Sequence, residues 1–181
     1  MLTSLIDIRS RFPCDSGWKT LLKYLGKTCA DDEPLSLSVV LKSNGFDDAV
    51  WCLRAIKRRY PEKIAFALKC VREVQHLLDN RVCLKALDVV EAYTKGQASG
   101  KEVLDAKHAV QLVADEKQQS VEWAVLWLLY AVVYAIEDFN EGVATEIWAS
   151  ICDASAASCS FADIRQMRLR HEQFFMEMMD D

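Results

Sequence analysis

The run Trp123–Ile136 (WAVLWLLYAVVYAI) constrains this chain more than any other segment. It contains no charge, and within Val121–Ile136 only Glu122 is ionisable below neutral pH. A helix this apolar all round is stable in water only when other apolar surface covers it from several directions. A bilayer is the other apolar surrounding, but a span needs about 20 apolar residues, and shorter runs are generally buried core helices. Glu137 and Asp138 close the run at once. The expectation is a deep helical core with this segment through its middle.

The rest of the chain has helical periodicity nearly throughout. Six glycines and three prolines in 181 residues are too few for the turns of a β-rich fold. The pattern predicts helices over Asp15–Lys27, Ser36–Lys42, Phe46–Arg59, Glu62–Leu78, Arg81–Lys95 and Gly100–Gln118. A central helix capped by Ser120 is expected to reach Phe139 or beyond. Gly142 interrupts it mildly, and helix resumes through Trp148 to Cys152. A last helix covers Phe161–Met178. Tyr60-Pro61 is read as a break, and Cys29–Pro34 and Asp153–Ser160 as loops. The predicted fold is all-α, one domain over 1–181: a compact bundle of about eight helices, built as αα-hairpins around the apolar central helix.

Composition narrows the function classes. With 51% hydrophobic and 27% charged residues, the chain reads as a soluble globular protein. A net charge of −5 argues against a general nucleic-acid binder. The seven cysteines (Cys14, Cys29, Cys52, Cys70, Cys83, Cys152, Cys159) form an odd, scattered set without a CxxC pair. That argues against structural zinc and for a reducing cytoplasm, with the thiols as small buried apolar groups. The first residues, MLTSLIDIRSRF, carry Asp7 and too short an apolar run for a secretory leader.

No constellation names an activity. Glu73-Val-Gln-His76 matches the Glu-x-x-His motif of di-metal helical bundles, with Asp105 and His108 as a looser second pair. The inward-facing glutamates such a site needs are missing from Trp123–Ile136, so no metal and no cofactor is expected. Cys52, Cys70 and Cys83 lie in apolar helix, where a thiol stays protonated and inert. Arg54, Lys57, Arg58, Arg59 and Lys63 suit a helix C-terminus. Arg165, Arg168 and Arg170 look like the solvated side of an amphipathic helix, and are the residues a nucleic-acid-binding regulator would use. Asp31, Asp32 and Glu33 form an acidic loop suited to a basic partner surface. Trp51 faces away from the apolar stripe of its helix. Burial against a second layer is the expected outcome; exposed, it would make a hot spot with Arg54.

The string Ser43-Asn44-Gly45-Phe46-Asp47-Asp48-Ala49-Val50-Trp51-Cys52-Leu53-Arg54-Ala55 is followed by a helix over Cys70–Leu78. Then come Asp79-Asn80-Arg81 and a helix ending Tyr93-Thr94-Lys95-Gly96. In this order the segment Val39–Ile136 resembles the Imm-5-like immunity proteins, small all-α proteins of bacterial and phage genomes. Their distal helices are Ala-rich, whereas Trp123, Trp127, Leu128 and Leu129 stand here. The resemblance implies stoichiometric binding and brings no catalytic residues. The expected function is therefore a non-enzymatic protein-binding inhibitor of an effector protein, a toxin or a host defence nuclease complex. It would be a phage anti-defence protein such as an anti-CRISPR, or a toxin-neutralising immunity protein. Asp31, Asp32, Glu33, Trp51 and Arg54 are its candidate partner-binding residues. A homodimer is also allowed for. The alternatives are a helical-bundle metalloenzyme through Glu73, His76, Asp105 and His108, or the nucleic-acid-binding regulator.

Overall fold

The computed structural model describes residues 1–157 and 161–180. In chain order these form β1 (Leu2–Thr3), α1 (Leu5–Arg9), α2 (Asp15–Leu25), β2 (Leu35–Ser36), α3 (Leu37–Asn44) and α4 (Phe46–Trp51). A 3-10 turn over Cys52–Ala55 leads to α5 (Tyr60–Glu73), and a second one, Gln75–Leu77, to α6 (Arg81–Thr94). Then follow α7 (Gly100–Lys117), α8 (Ser120–Ile136), α9 (Asn140–Ala156) and α10 (Phe161–Asp180). The two short strands pair antiparallel, Leu2 with Ser36 and Thr3 with Leu35. The all-α expectation holds.

Local chemistry sets most of the helix starts. Ser4, Cys14, Ser36, Asn80 and Ser99 each accept, through the side chain, a hydrogen bond from a first-turn N–H. Ser99 and Glu102 complete a reciprocal capping box. Helix α8 has no such cap: Ser120 is its first residue, not the cap expected, and Gln119 before it makes no side-chain bond. Glu122 lies wholly buried in the first turn, with Lys117 Nζ 3.7 Å from its carboxylate.

The expected count of about eight becomes ten α-helices among the described residues, the added ones being α1 and α9, and several boundaries move. Near the N-terminus, Leu5 and Ile8 bury one side of a single extra turn, α1. The expected helix Phe46–Arg59 stops at Trp51, tightens into the 3-10 turn, and ends where Arg58 and Arg59 both take positive φ, 58° each. Tyr60-Pro61 does not break a helix but starts one, at the position where proline's missing N–H costs nothing. Likewise the central helix does not reach past Phe139. It ends at Ile136, Asp138 takes φ 55°, and Gly142 lies inside the new helix α9. The first part of the expected loop Asp153–Ser160 is helical to Ala156, and its end falls outside the described residues.

Helix α8 sits against α5, α6, α7 and α9. Its Val121, Ala124, Val125, Leu126, Leu128, Leu129, Ala131 and Val132 are all buried. Helix α10 closes over α5 and α9. Edge-to-face rings of Phe46, Phe66 and Phe175 tie it to α4 and α5, with centroids 5.4 to 6.5 Å apart. The short helices α1 to α4 stack beside this body, α1 on the 3-10 turn and α4 on α9.

Lys63, read from sequence as part of a basic cluster suited to a helix C-terminus, is instead fully buried within α5. Its Nζ donates to the Ile56 carbonyl at 2.6 Å and to Asn140 Oδ1 at 2.7 Å, while Asn140 Nδ2 donates to the Arg54 carbonyl at 3.0 Å. One amine and one amide thus satisfy the free end of the 3-10 turn and pin it to the start of α9. Burial pushes the Lys63 amine down to about 7. A neutral amine still has the two N–H groups that these acceptors need.

Two outcomes follow from this packing. Leu128→Asp puts a charge where no solvent reaches, and should cost more than about 3 kcal/mol, read as loss of the cooperative thermal transition. For Lys63, the unfolded amine titrates near 10.5 and the folded one near 7, so above pH 7 the unfolded chain holds the extra proton. Its contribution to stability therefore rises as pH climbs from about 7 toward 10.5. Urea melts should show a steeper gain with pH in the wild type than in Lys63→Met; parallel curves would refute the assignment.

Candidate functional site

Pro13 and Cys14 precede α2, and Gly45 lies between α3 and α4; together these joints shape a surface cleft. Gly45 has φ 89°, a value that costs a side chain but not glycine, and it turns the chain sharply from α3 into α4. Asn44 holds the turn: its Nδ2 donates to the Gly17 carbonyl and to Asp48 Oδ2, both at 2.8 Å, which fastens α2 to α4. Between these helices and α1 lies a cleft of about 150 Å³. Ile8, Trp18, Leu21, Val40 and Cys52 give it apolar walls, and Cys14, Asn44 and Asp48 give it a polar rim. Trp51 lines it as well, partly exposed.

Each tryptophan of the cleft carries an arginine. The Arg54 guanidinium stands 5.4 Å from the Trp51 ring centroid, and that of Arg9 stands 5.4 Å from Trp18. Trp51 is thus neither packed away, as expected, nor standing free: one face of it belongs to the cleft. Phe12, which precedes Pro13 in the chain, is 90% exposed and held at φ 56°. A bulky residue at positive φ is strained, and here nothing buried compensates for it.

No family model, curated protein or solved structure matches this chain.

The other sequence candidates are dispersed and mostly engaged. In the acidic loop, Lys27 bridges Asp31 at 2.5 Å and Glu33 at 2.6 Å, and the Asp31 carbonyl accepts from Ile6 N–H at 3.0 Å. Only Asp32 of the three projects without such a bond. The arginines of α10 are not simply solvated: Arg168 pairs with Asp47 and lies 5.4 Å over Phe46, and Arg170 pairs with Glu73. Arg165 is exposed, and no ion pair links it to the described residues. The helix carrying Glu73 ends there, so His76 falls in the 3-10 turn, its Nδ1 3.1 Å from the Glu73 carbonyl. Asp105 and His108 are exposed on α7. Among the described residues no three such groups come together in a way that could hold a metal, and no helix is long and apolar enough to cross a membrane.

The thiols differ sharply in environment. Burial pushes Cys52 up to about 12 and Cys83 up to about 11, and raises Cys70 well above the ordinary thiol range. Cys14 is exposed and goes the other way: the Ser16 hydroxyl and the Gly17 N–H stabilise its thiolate at the N-terminus of α2. Cys159 lies outside the described residues. Trp18, Cys14 and Phe12 were not among the sequence candidates. The signal for Cys14 was its place just before Asp15, where a cap belongs; for Phe12 there was none. A disulfide-exchange reagent at neutral pH should react fastest at Cys14. Cys14→Ser should remove that fast phase, and an unchanged fast phase would show that the cap does not activate the thiol.

Proposed function

We propose that this protein is a non-enzymatic inhibitor that neutralises an effector protein by stoichiometric binding. The observation that carries the reading is the cleft rimmed by Trp18 and Trp51, each stacked with an arginine. Tryptophan and arginine are the residues most enriched at energetic hot spots, because they combine large apolar area with rigid or multiple hydrogen-bonding groups. The cleft is small, apolar and without an assembled acid–base pair, which suits an inserted side chain better than a reaction. The reading is supported by the Ser43–Ala55 string that resembles the Imm-5-like immunity proteins. That string contributes Asn44, Asp48, Trp51 and Cys52 to the cleft, and Arg54 to its edge. The effector would be a toxin or a host defence nuclease complex, the compartment the cytosol, and Asp32 an accessory charge at the edge of binding. Dimerisation is not required for this role.

Tagged wild-type protein incubated with host lysate should retain one partner in stoichiometric amount. Trp51→Ala and Arg54→Ala should each weaken that retention by roughly thirty-fold, about 2 kcal/mol, while the circular dichroism melt stays within a few degrees of wild type. Equal retention by wild type and Trp51→Ala would exclude the cleft. Bound metal in elemental analysis, with no protein retained, would favour the metalloenzyme instead.

A further inference from the structure

The side of α8 that its neighbours leave partly open carries a ladder of rings. Trp123, Trp127, Tyr130 and Tyr134 follow one another with centroids 5.4, 5.9 and 6.3 Å apart, and Phe139 adds a fifth ring at 5.5 Å. The four helical rings are partly exposed, and Phe139 is half exposed. Two observations place α9 along one edge of the ladder. A Cβ on Gly142 would stand only 2.7 Å from Tyr134 Cδ2, so the glycine lets that ring lie against the helix. Trp127 Nε1 donates to Asp153 Oδ2 at 2.9 Å. Residues 142, 146, 149 and 153 share one face of a helix, so Glu146 stands on the same edge between those two contacts.

Several shielded acids of the chain have a cation beside them. Asp31 has Lys27, Glu73 has Arg170, and Glu122 has Lys117. Among the described residues no cation is paired with Glu146 or Asp153, and both are partly buried. Desolvation raises the carboxyl of each, and for Asp153 it outweighs the bond from Trp127. On the opposite edge, Lys107 Nζ already lies 4.6 Å from the Tyr130 ring centroid, so the ladder accepts a cation.

We propose that this seam of α8 and α9 is an interaction surface for an arginine-bearing segment of a partner protein. A guanidinium can lie on an aromatic ring and pair with a carboxylate at once, because it is planar and forked. Two carboxylates about two helical turns apart would take two such side chains along an extended segment. Nucleic acid would be repelled by the same carboxylates. The seam is separate from the cleft of α2 to α4, and its failure would leave the reading of that cleft untouched.

The test uses the whole protein and its tryptophan fluorescence, titrated with an oligoarginine peptide and with oligolysine of equal length. Saturable quenching by oligoarginine is expected, with weaker binding of oligolysine. Glu146→Gln with Asp153→Asn, which keeps an acceptor for Trp127, should weaken oligoarginine binding by roughly tenfold or more. Glu116→Gln, an exposed acid off the seam, should leave it unchanged. Absence of saturable binding, equal binding of the two peptides, or equal weakening by Glu116→Gln would overturn the proposal, the last by showing attraction to net charge alone.

Discussion

From Val121 to Val132 every aliphatic side chain of α8 is buried, with α5, α6, α7 and α9 packed around the helix. Leaving any one of its leucines or valines in water would forfeit about 1.5–3 kcal/mol, so the helix is stable only with its neighbours in place. Those neighbours follow it closely in sequence. The short connection Glu137–Phe139 folds α9 back on α8, and Gln118-Gln119 joins it to α7. Short links of this kind make antiparallel pairs, and three consecutive helices cover most of the apolar surface before any distant segment is needed. The remaining side is taken by α5 and α6, which bring their own double apolar faces: Phe66 and Cys70 on one side of α5, Ile64, Ala67 and Val71 on the other.

This is also why the class of fold was legible and the element boundaries were not. Periodicity reports which side of a helix is buried: Ile64, Ala67, Leu68 and Val71 recur at helical spacing along α5, Val103 and Val110 along α7, and all are inside. It does not report where a helix must stop for reasons of packing. No proline or glycine marks the ends at Trp51 and Ile136; the chain turns there through Arg58, Arg59 and Asp138 at positive φ. These strained turns are held by contacts distant in sequence, Lys63 to Asn140 and Tyr60 Oη to Asp138 at 2.8 Å, which no local pattern contains. The same limit governs the site. Trp51 and Arg54 were visible as a pair on one helix, but Trp18 and Arg9 join them only through the stacking of α1 and α2 on α4.

Polar groups inside the fold are concentrated at such joints. Lys63 closes the end of the 3-10 turn, Glu122 sits at the uncapped start of α8, and the Ser150 hydroxyl donates to the Ala124 carbonyl at 2.8 Å across the α8–α9 pair. Lys63 and Glu122 lie at helix or turn ends with free backbone groups, and Ser150 ties two helices together at mid-length. None of them converges on a cavity with another titratable group. Their role in the fold is architectural.

The outer surface is divided by charge. The cleft of α1 to α4 has its tryptophans covered by Arg9 and Arg54. The seam of α8 and α9 has its rings bordered by Glu146 and Asp153. Both surfaces offer aromatic rings, and selectivity between partner segments would come from the flanking sign: acidic or apolar groups toward the first, basic groups toward the second. A single partner could use both only if its own charges were arranged with the matching separation, which is a far narrower condition than affinity for either surface alone. Two weak, oppositely signed contacts on one rigid helical body would therefore discriminate more sharply than one strong contact of the same total energy, because a wrong partner that satisfies one of them is left with an unpaired, desolvated charge at the other.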